Sequence, residues 1–360
     1  MKILLFGEYS GLFNSLKEGL IELGHDVYLA SNGDGYKNFP SDFRWDMHVS
    51  GKIGNAIGIA NVFTHLNRLR GFDIVLVIST YPLFKRFFNE LIFDYLVKNN
   101  GHVYLSGAGL TPVSFDYWNN SKESKYYNYT QAEIESAKSA NKKFGLFDNR
   151  LLKESELRIF NKIAGYIPIM YEYAKPYHSS EKFLKTIPIP INVGKFKYSE
   201  NRINDKIVFF HGLSRFCKGG DFIISAFDKL RSKYKNDAEF ICTGGLPFDE
   251  YIALLRKTNV VLDDVNAYSL GMNGLYSMAQ GKIVMGGAEE VSKKELNYSF
   301  LPAINLKRDV NQIVQSIEYV LENRAEIQEM GYKSRLFVET HHDHVKVAQA
   351  YLDLWKNADK

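Results

Sequence analysis

Short apolar runs alternating with longer amphipathic stretches constrain this chain more than any other feature. Runs with strand character fall at residues 2–6, 73–78, 103–105 and 166–169, and again at 206–211, 238–242, 259–262, 282–285 and 303–306. Between them, residues 12–23, 222–233 and 310–321 repeat apolar positions every three or four, the period of a helix with one buried face. Strand–helix alternation of this kind reads as α/β structure with a parallel, doubly wound sheet. The rhythm runs twice. Between the two series lies Ile187-Pro188-Ile189-Pro190-Ile191. Proline fixes its own φ and pushes the preceding residue towards extended backbone, so this stretch is no helix and marks a joint. The expectation is two doubly wound domains, residues 1–195 and 196–340, facing a cleft, because ligands in such sheets bind beyond the carboxyl ends of the strands.

Length agrees with two domains, since 360 residues exceed the ~100–200 of an ordinary one. A chain 45% hydrophobic and 24% charged is neither disordered nor fibrous. Its 23 Tyr and 25 Phe suggest binding surfaces beyond the core. Cys217 and Cys242 make neither a disulfide framework nor a metal spacing. The longest strongly apolar run, Ile74 to Ile78, is far short of the ~18–20 residues that cross a bilayer. The N-terminus reaches Glu8 too early for a signal peptide, so a reduced, cytoplasmic protein is expected. Residues 1–195 carry 23 basic against 19 acidic side chains and residues 196–360 carry 22 of each, which puts the whole +4 in the first half. No basic stripe appears, so nucleic acid is not an expected partner. Residues 118–143, rich in Lys, Tyr, Asn and Ser, read as a surface insertion or lid.

Four loops could carry chemistry. Residues 6–14 leave the first strand and enter a helix through Gly7 and Gly11. Gly11 could let an anion approach the helix N-terminus, or the loop could be a plain glycine turn; the G-x-G-x-x-G dinucleotide spacing is absent. Residues 211–220 hold Arg215, a bidentate fork for phosphate, and Lys218, a point charge three residues on, beside Gly219 and Gly220. A solvated basic turn is the alternative. Residues 263–274 open a short helix at Gly271, Met272 and Asn273, whose amides could meet phosphate or sugar oxygens. Asp263 and Asp264 could ligate a metal but lack a third ligand at supporting spacing, and solvated acids are the simpler reading. Residues 286–290 place Glu289 and Glu290 where they could accept hydrogen bonds from ribose or sugar, or form a solvated turn. The cluster His341-His342-Asp343-His344 is not read as a metal site; it precedes an amphipathic terminal helix.

Arg215-x-x-Lys218-Gly219 followed by Ile223-Ile224-Ser225-Ala226, with Leu275-Tyr276-Ser277-Met278-Ala279-Gln280-Gly281-Lys282-Ile283-Val284 downstream, carries a family likeness. The second stretch is similar to a segment L-E-A-M-A-x-G-K-P-V. Nearly the whole chain, residues 38–62 and 118–143 excepted, resembles the retaining "group 1" glycosyltransferases of the GT-B fold. That resemblance implies two Rossmann-like domains, with residues 341–360 packing back on the first. It implies a nucleoside diphosphate sugar as donor, a diphosphate held by Arg215 and Lys218, and no metal or other cofactor. It also implies a glycan or lipid-linked glycan acceptor on the first domain. One departure stands out. The family places two glutamates eight residues apart, the second on the donor ribose; here Tyr268 and Tyr276 occupy those places. The stretch is similar to a branch found among surface-polysaccharide transferases, so Tyr276 is expected at the ribose in a variant site. A degenerate, noncatalytic binding module is one alternative. A nucleotide-sugar epimerase of the same architecture is another, although no carboxylate–histidine set for it can be assigned. Lys85-Arg86-Phe87-Phe88, and Lys122, Lys125, Lys138, Lys142 and Lys143 around Tyr126, Tyr127 and Tyr129, suit peripheral contact with an anionic membrane or a mildly basic soluble surface.

Overall fold

A computed structural model describes residues 1–46, 51–81, 86–139, 150–213, 218–245 and 248–358. The chain divides into two compact units: Met1–Tyr117 with Phe144–Asn192 and His344–Lys360, and Trp118–Lys143 with Val193–Asp343.

The first unit carries β1 (Lys2–Phe6), β2 (Asp26–Ser31), β3 (Phe43–Arg44), β4 (Ile74–Val77), β5 (His102–Gly107) and β6 (Gly165–Pro168) in the order β3-β2-β1-β4-β5-β6. Every pairing is parallel. β4 reads Ile-Val-Leu-Val and is buried throughout, as expected of a central strand covered on both faces. The terminal helix His344–Ala358 packs on the helix Leu12–Glu22. Gly19 makes that approach possible, since a Cβ there would lie 2.3 Å from the His344 carbonyl oxygen. Trp355, fully buried, closes the contact against Tyr104, with ring centroids 6.1 Å apart.

The second unit carries β7 (Ile207–Leu213), β8 (Ala238–Gly244), β9 (Val260–Leu262), β10 (Ile283–Gly286) and β11 (Ile304–Asn305), all parallel, in the order β11-β10-β9-β7-β8. Helices Gly220–Arg231 and Val310–Glu322 pack together, burying Ile223, Phe227, Ile313 and Ile317. Asp309 caps the second of them, accepting from the Asn311 amide at 2.8 Å.

The described residues 118–139 cluster with this second unit, although they stand in the first half of the sequence. Tyr126 and Tyr129 are buried and stacked, centroids 4.7 Å apart, and Trp118 stacks on Tyr268 at 5.5 Å. Tyr126 also lies against Trp118, so these rings are linked to the later part of the unit through the Trp118–Tyr268 stack. This assignment also removes the charge asymmetry expected between the halves. Counted by compact unit, the first holds 20 basic and 18 acidic residues and the second 25 and 23, a balance of +2 each.

Candidate functional site

The second sheet has one point where neighbouring strands send their connections in opposite directions, between β7 and β9. Such a switch point leaves a crevice beyond the carboxyl ends of the strands. Two charged residues meet there. Lys218 closes the loop that leaves β7, and Asp263 follows β9; Lys218 Nζ lies 2.9 Å from Asp263 Oδ1. The backbones are joined as well, the Val265 amide donating to the Lys218 carbonyl at 3.0 Å. Asp263 is buried, which pushes its carboxyl up, but the Lys218 ammonium more than offsets this and holds it below the usual carboxylate range. The Asn273 side chain adds a hydrogen bond to the same carboxylate. Beneath them His211 is buried, with Nδ1 2.9 Å from the Leu262 carbonyl oxygen; burial lowers its pKa and favours the neutral ring.

Two helices begin beside the pair. Helix Gly220–Arg231 starts from Gly219, whose φ of +71° an L-residue adopts only under strain. Helix Met272–Ala279 starts at Gly271, where an added Cβ would meet nothing within 4 Å. A helix N-terminus offers unpaired amides and a partial positive charge, so a lysine between two of them forms an anion-binding arrangement.

Residues 125–139 face the same edge of the sheet. Lys125 Nζ donates to Glu289 at 3.1 Å, to Asn305 Oδ1 at 3.3 Å and to the Leu306 carbonyl at 2.6 Å. The Lys125 amide donates to the Tyr268 hydroxyl at 3.1 Å. Asn128, Gln131, Gly219, Asn266 and Arg308 line a pocket of about 100 Å³ between this helix and the start of Gly220–Arg231.

No protein-family model matches the chain, and no curated protein matches it in sequence. Solved structures do match, over almost its full length. Sucrose-phosphate synthase from Thermosynechococcus elongatus is 13% identical, with a TM-score of 0.64 over 99% of this chain and 98% of that one. Anabaena HepE, in complex with UDP and glucose, is 13% identical, with a TM-score of 0.60 over 99% of each chain. A glycosyltransferase from Rickettsia africae ESF-5 is 13% identical, with a TM-score of 0.57 over 100% of this chain and 98% of that one. The fold is that of the GT-B glycosyltransferases.

Arg215 lies outside the described residues. Gly271, Met272 and Asn273 form the start of their helix, and Tyr276, one turn on, stacks its ring on Phe196 with centroids 4.6 Å apart. Glu289 precedes the helix Glu290–Glu295 and is ion-paired with Lys125, while Glu290 is exposed in the first turn. Gly11, in the first unit, is differently engaged. Its amide donates to Glu8 Oε1 at 3.0 Å, and the Asn14 amide donates to Oε2 at 2.9 Å. Glu8 is 1% exposed, and burial pushes its carboxyl up against the opposing pull of the Asn14 hydrogen bonds. The protein's own carboxylate therefore occupies the helix N-terminus that the glycine turn would otherwise offer to an anion.

Burial also corrects part of the expected membrane patch. Lys125 keeps 12% of its side chain exposed, and Tyr126 and Tyr129 are 2% and 8% exposed, so these three face protein. Lys85, Lys142 and Lys143 lie outside the described residues. The histidines near the C-terminus hold protein partners: His341 lies 3.0 Å from Ser299 Oγ, His342 2.9 Å from the Tyr298 hydroxyl and His344 2.9 Å from Glu22.

Sequence reasoning missed three residues. Asp263 carries no local signal of its role, because its partner Lys218 is 45 residues away and no local spacing links them. Lys125 looked like one surface lysine among several. Glu8 had the one legible signal, a carboxylate three residues before the glycine that starts a helix.

Proposed function

We propose that this chain is a glycosyltransferase that moves a sugar from a nucleoside diphosphate sugar to a glycan or lipid-linked glycan. The observation that carries the reading is Lys218 at the β7/β9 switch point, between the starts of two helices. As the glycosidic bond breaks, negative charge gathers on the departing diphosphate. Lys218 supplies a preorganised cation there and Arg215 is assigned a second, with the amides of Gly220–Arg231 and Met272–Ala279 completing the cradle. Anabaena HepE, solved in complex with UDP and glucose and with UDP-glucose, supports a nucleotide sugar as donor.

In this reading the acceptor hydroxyl attacks on the face the diphosphate leaves, with retention of configuration, and the departing phosphate oxygen takes its proton. The cations then do the work that a divalent metal does elsewhere, and no further cofactor is needed. Tyr276 is assigned to the donor ribose, with Glu289 and Glu290 as further sugar contacts.

Thermal shift against a panel of nucleoside diphosphates and their sugars tests the donor site: a ligand at 100 Kd stabilises by ~2.7 kcal/mol. Product analysis with an acceptor present then tests transfer, and hydrolysis or epimerisation without transfer would refute it. The second reading, a noncatalytic binding module, is favoured by Tyr268 and Tyr276 in place of glutamates and by the engagement of Glu289 with Lys125. It predicts binding without any turnover.

We assign the acceptor to the first unit and the role to surface polysaccharide synthesis, with the enzyme resting peripherally on the cytoplasmic face of a membrane. Among the described residues no helix is long and apolar enough to cross one. The feature that supports peripheral contact is Phe87, 64% exposed, one turn from Leu91, 38% exposed, on the helix Arg86–Asn99. Co-sedimentation with anionic liposomes at low salt is the expected result; none at any salt would remove the membrane from the proposal.

A further inference from the structure

A lysine that stabilises a diphosphate must also be accommodated when no diphosphate is bound. Lys218 has 24% of its side chain exposed and stands beside two helix starts, whose partial charge is positive, with Asp263, 7% exposed, as its ion-pair partner. Asp263 is held from several directions. Its amide donates to the Met285 carbonyl at 2.9 Å, and Asn273 bonds its carboxylate. Glycines pack over it: a Cβ added at Gly274 would lie 3.7 Å from its Oδ2, and one at Gly286 would lie 3.6 Å from its Cβ. The backbone bond, Asn273 and Lys218 together hold this carboxylate beside the ammonium.

The geometry points to Asp263 as a built-in counter-charge that holds Lys218 in place in the empty site and then opposes the bound diphosphate, hastening release of the nucleoside diphosphate product. The free product carries one more negative charge than the sugar nucleotide, so the opposition is greater after transfer than before it. Asp263 is thus a positioning residue acting through Lys218. The inference rests on the reading of Lys218 as a diphosphate ligand and adds a device for release.

The test is calorimetric titration of UDP, ADP and GDP into the full chain, alongside melting curves and steady-state kinetics. Asp263→Asn keeps the shape and an oxygen for Lys218 while removing the charge. It should bind the preferred nucleoside diphosphate roughly tenfold more tightly, with kcat and KM falling together as release slows. Should that variant melt early, Lys218→Met is compared with the double variant Lys218→Met/Asp263→Leu, an apolar pair that leaves no buried charge. The double variant should bind more tightly than the single one. Equal or weaker binding after loss of the Asp263 charge overturns the inference while leaving the diphosphate reading intact. Failure of the unaltered chain to bind any of the three removes both.

Discussion

The two units solve the same topological problem in opposite ways. Each has a switch point where a strand exits through glycine into a helix: β1 beside β4 in the first unit, β7 beside β9 in the second. In the first, the Tyr9 hydroxyl lies 3.0 Å from Ser79 Oγ across the switch point, and Glu8 fills the amides of the helix Leu12–Glu22. In the second, the helix Gly220–Arg231 starts from Gly219, which offers no side-chain cap, and Lys218 just before it is paired with Asp263. One internal carboxylate makes the difference. Where it comes from the same loop, as Glu8 does, it caps the helix. Where it follows another strand, as Asp263 does, it pairs with the cation instead of capping the helix.

The largest effect that would break this comparison belongs to Lys218. Lys218→Ala should lose ~10²–10³-fold in turnover, the usual size for one preorganised charge stabiliser, and should melt earlier than the parent because Asp263 is left buried without its cation. Arg215→Ala is expected to lose turnover alike, and full activity in both would return the loop to the status of a basic turn.

Glu8→Ala sharpens the other half. Loss of a buried cap should lower stability by ~1–3 kcal/mol while nucleoside diphosphate affinity stays unchanged. Denaturant unfolding and titration read the two quantities separately, and a change in affinity would place the first unit's loop in the donor site. The effect should also depend on pH. Burial raises the folded-state pKa of Glu8 above its ordinary 4.5, so the folded chain holds this proton more tightly than the unfolded one. The stability that follows is fully present below pH 4.5 and is lost as pH rises through the raised value. Unfolding of Glu8→Ala should therefore differ more from the parent in acid than at neutrality; the reverse trend would mean that the carboxylate is stabilised, not penalised, where it sits.

The smallest effect concerns Tyr276. If its hydroxyl takes the place of the family's ribose-binding carboxylate, Tyr276→Phe should weaken donor binding by ~0.5–1.5 kcal/mol, the net worth of one hydrogen bond. The ring stack on Phe196 survives that change, so stability is expected to hold. Unaltered donor affinity would shift the ribose contact to Glu289 or Glu290, or remove it.

Much of the architecture was legible because the signals are local. β4 and β9 are apolar runs buried on both faces, and β1 is buried from its second residue on, which the alternation with helix-period segments made readable as parallel sheet. β3 was not legible: two residues, Phe43–Arg44, are too few for any period to show. The stretch Trp118–Lys143 was misjudged because lysine and tyrosine both belong equally to a surface and to a half-buried seam. Only its partners decide, and Tyr268, Glu289 and Asn305 lie 143, 164 and 180 residues from Lys125.

The amino-acid sequence by itself determined the two strand–helix series, the non-helical stretch at Pro188 and Pro190, and the loop in which Lys218 stands. Those follow from hydrophobic period, proline geometry and glycine turns, all of which act within a few residues. The tertiary structure alone decided which charges meet. Lys218 finds Asp263 because β7 and β9 are neighbours in the sheet, and Lys125 finds Glu289 because its helix clusters with the second unit. An ion pair depends on proximity in space, and parallel sheets bring together residues that the chain keeps far apart.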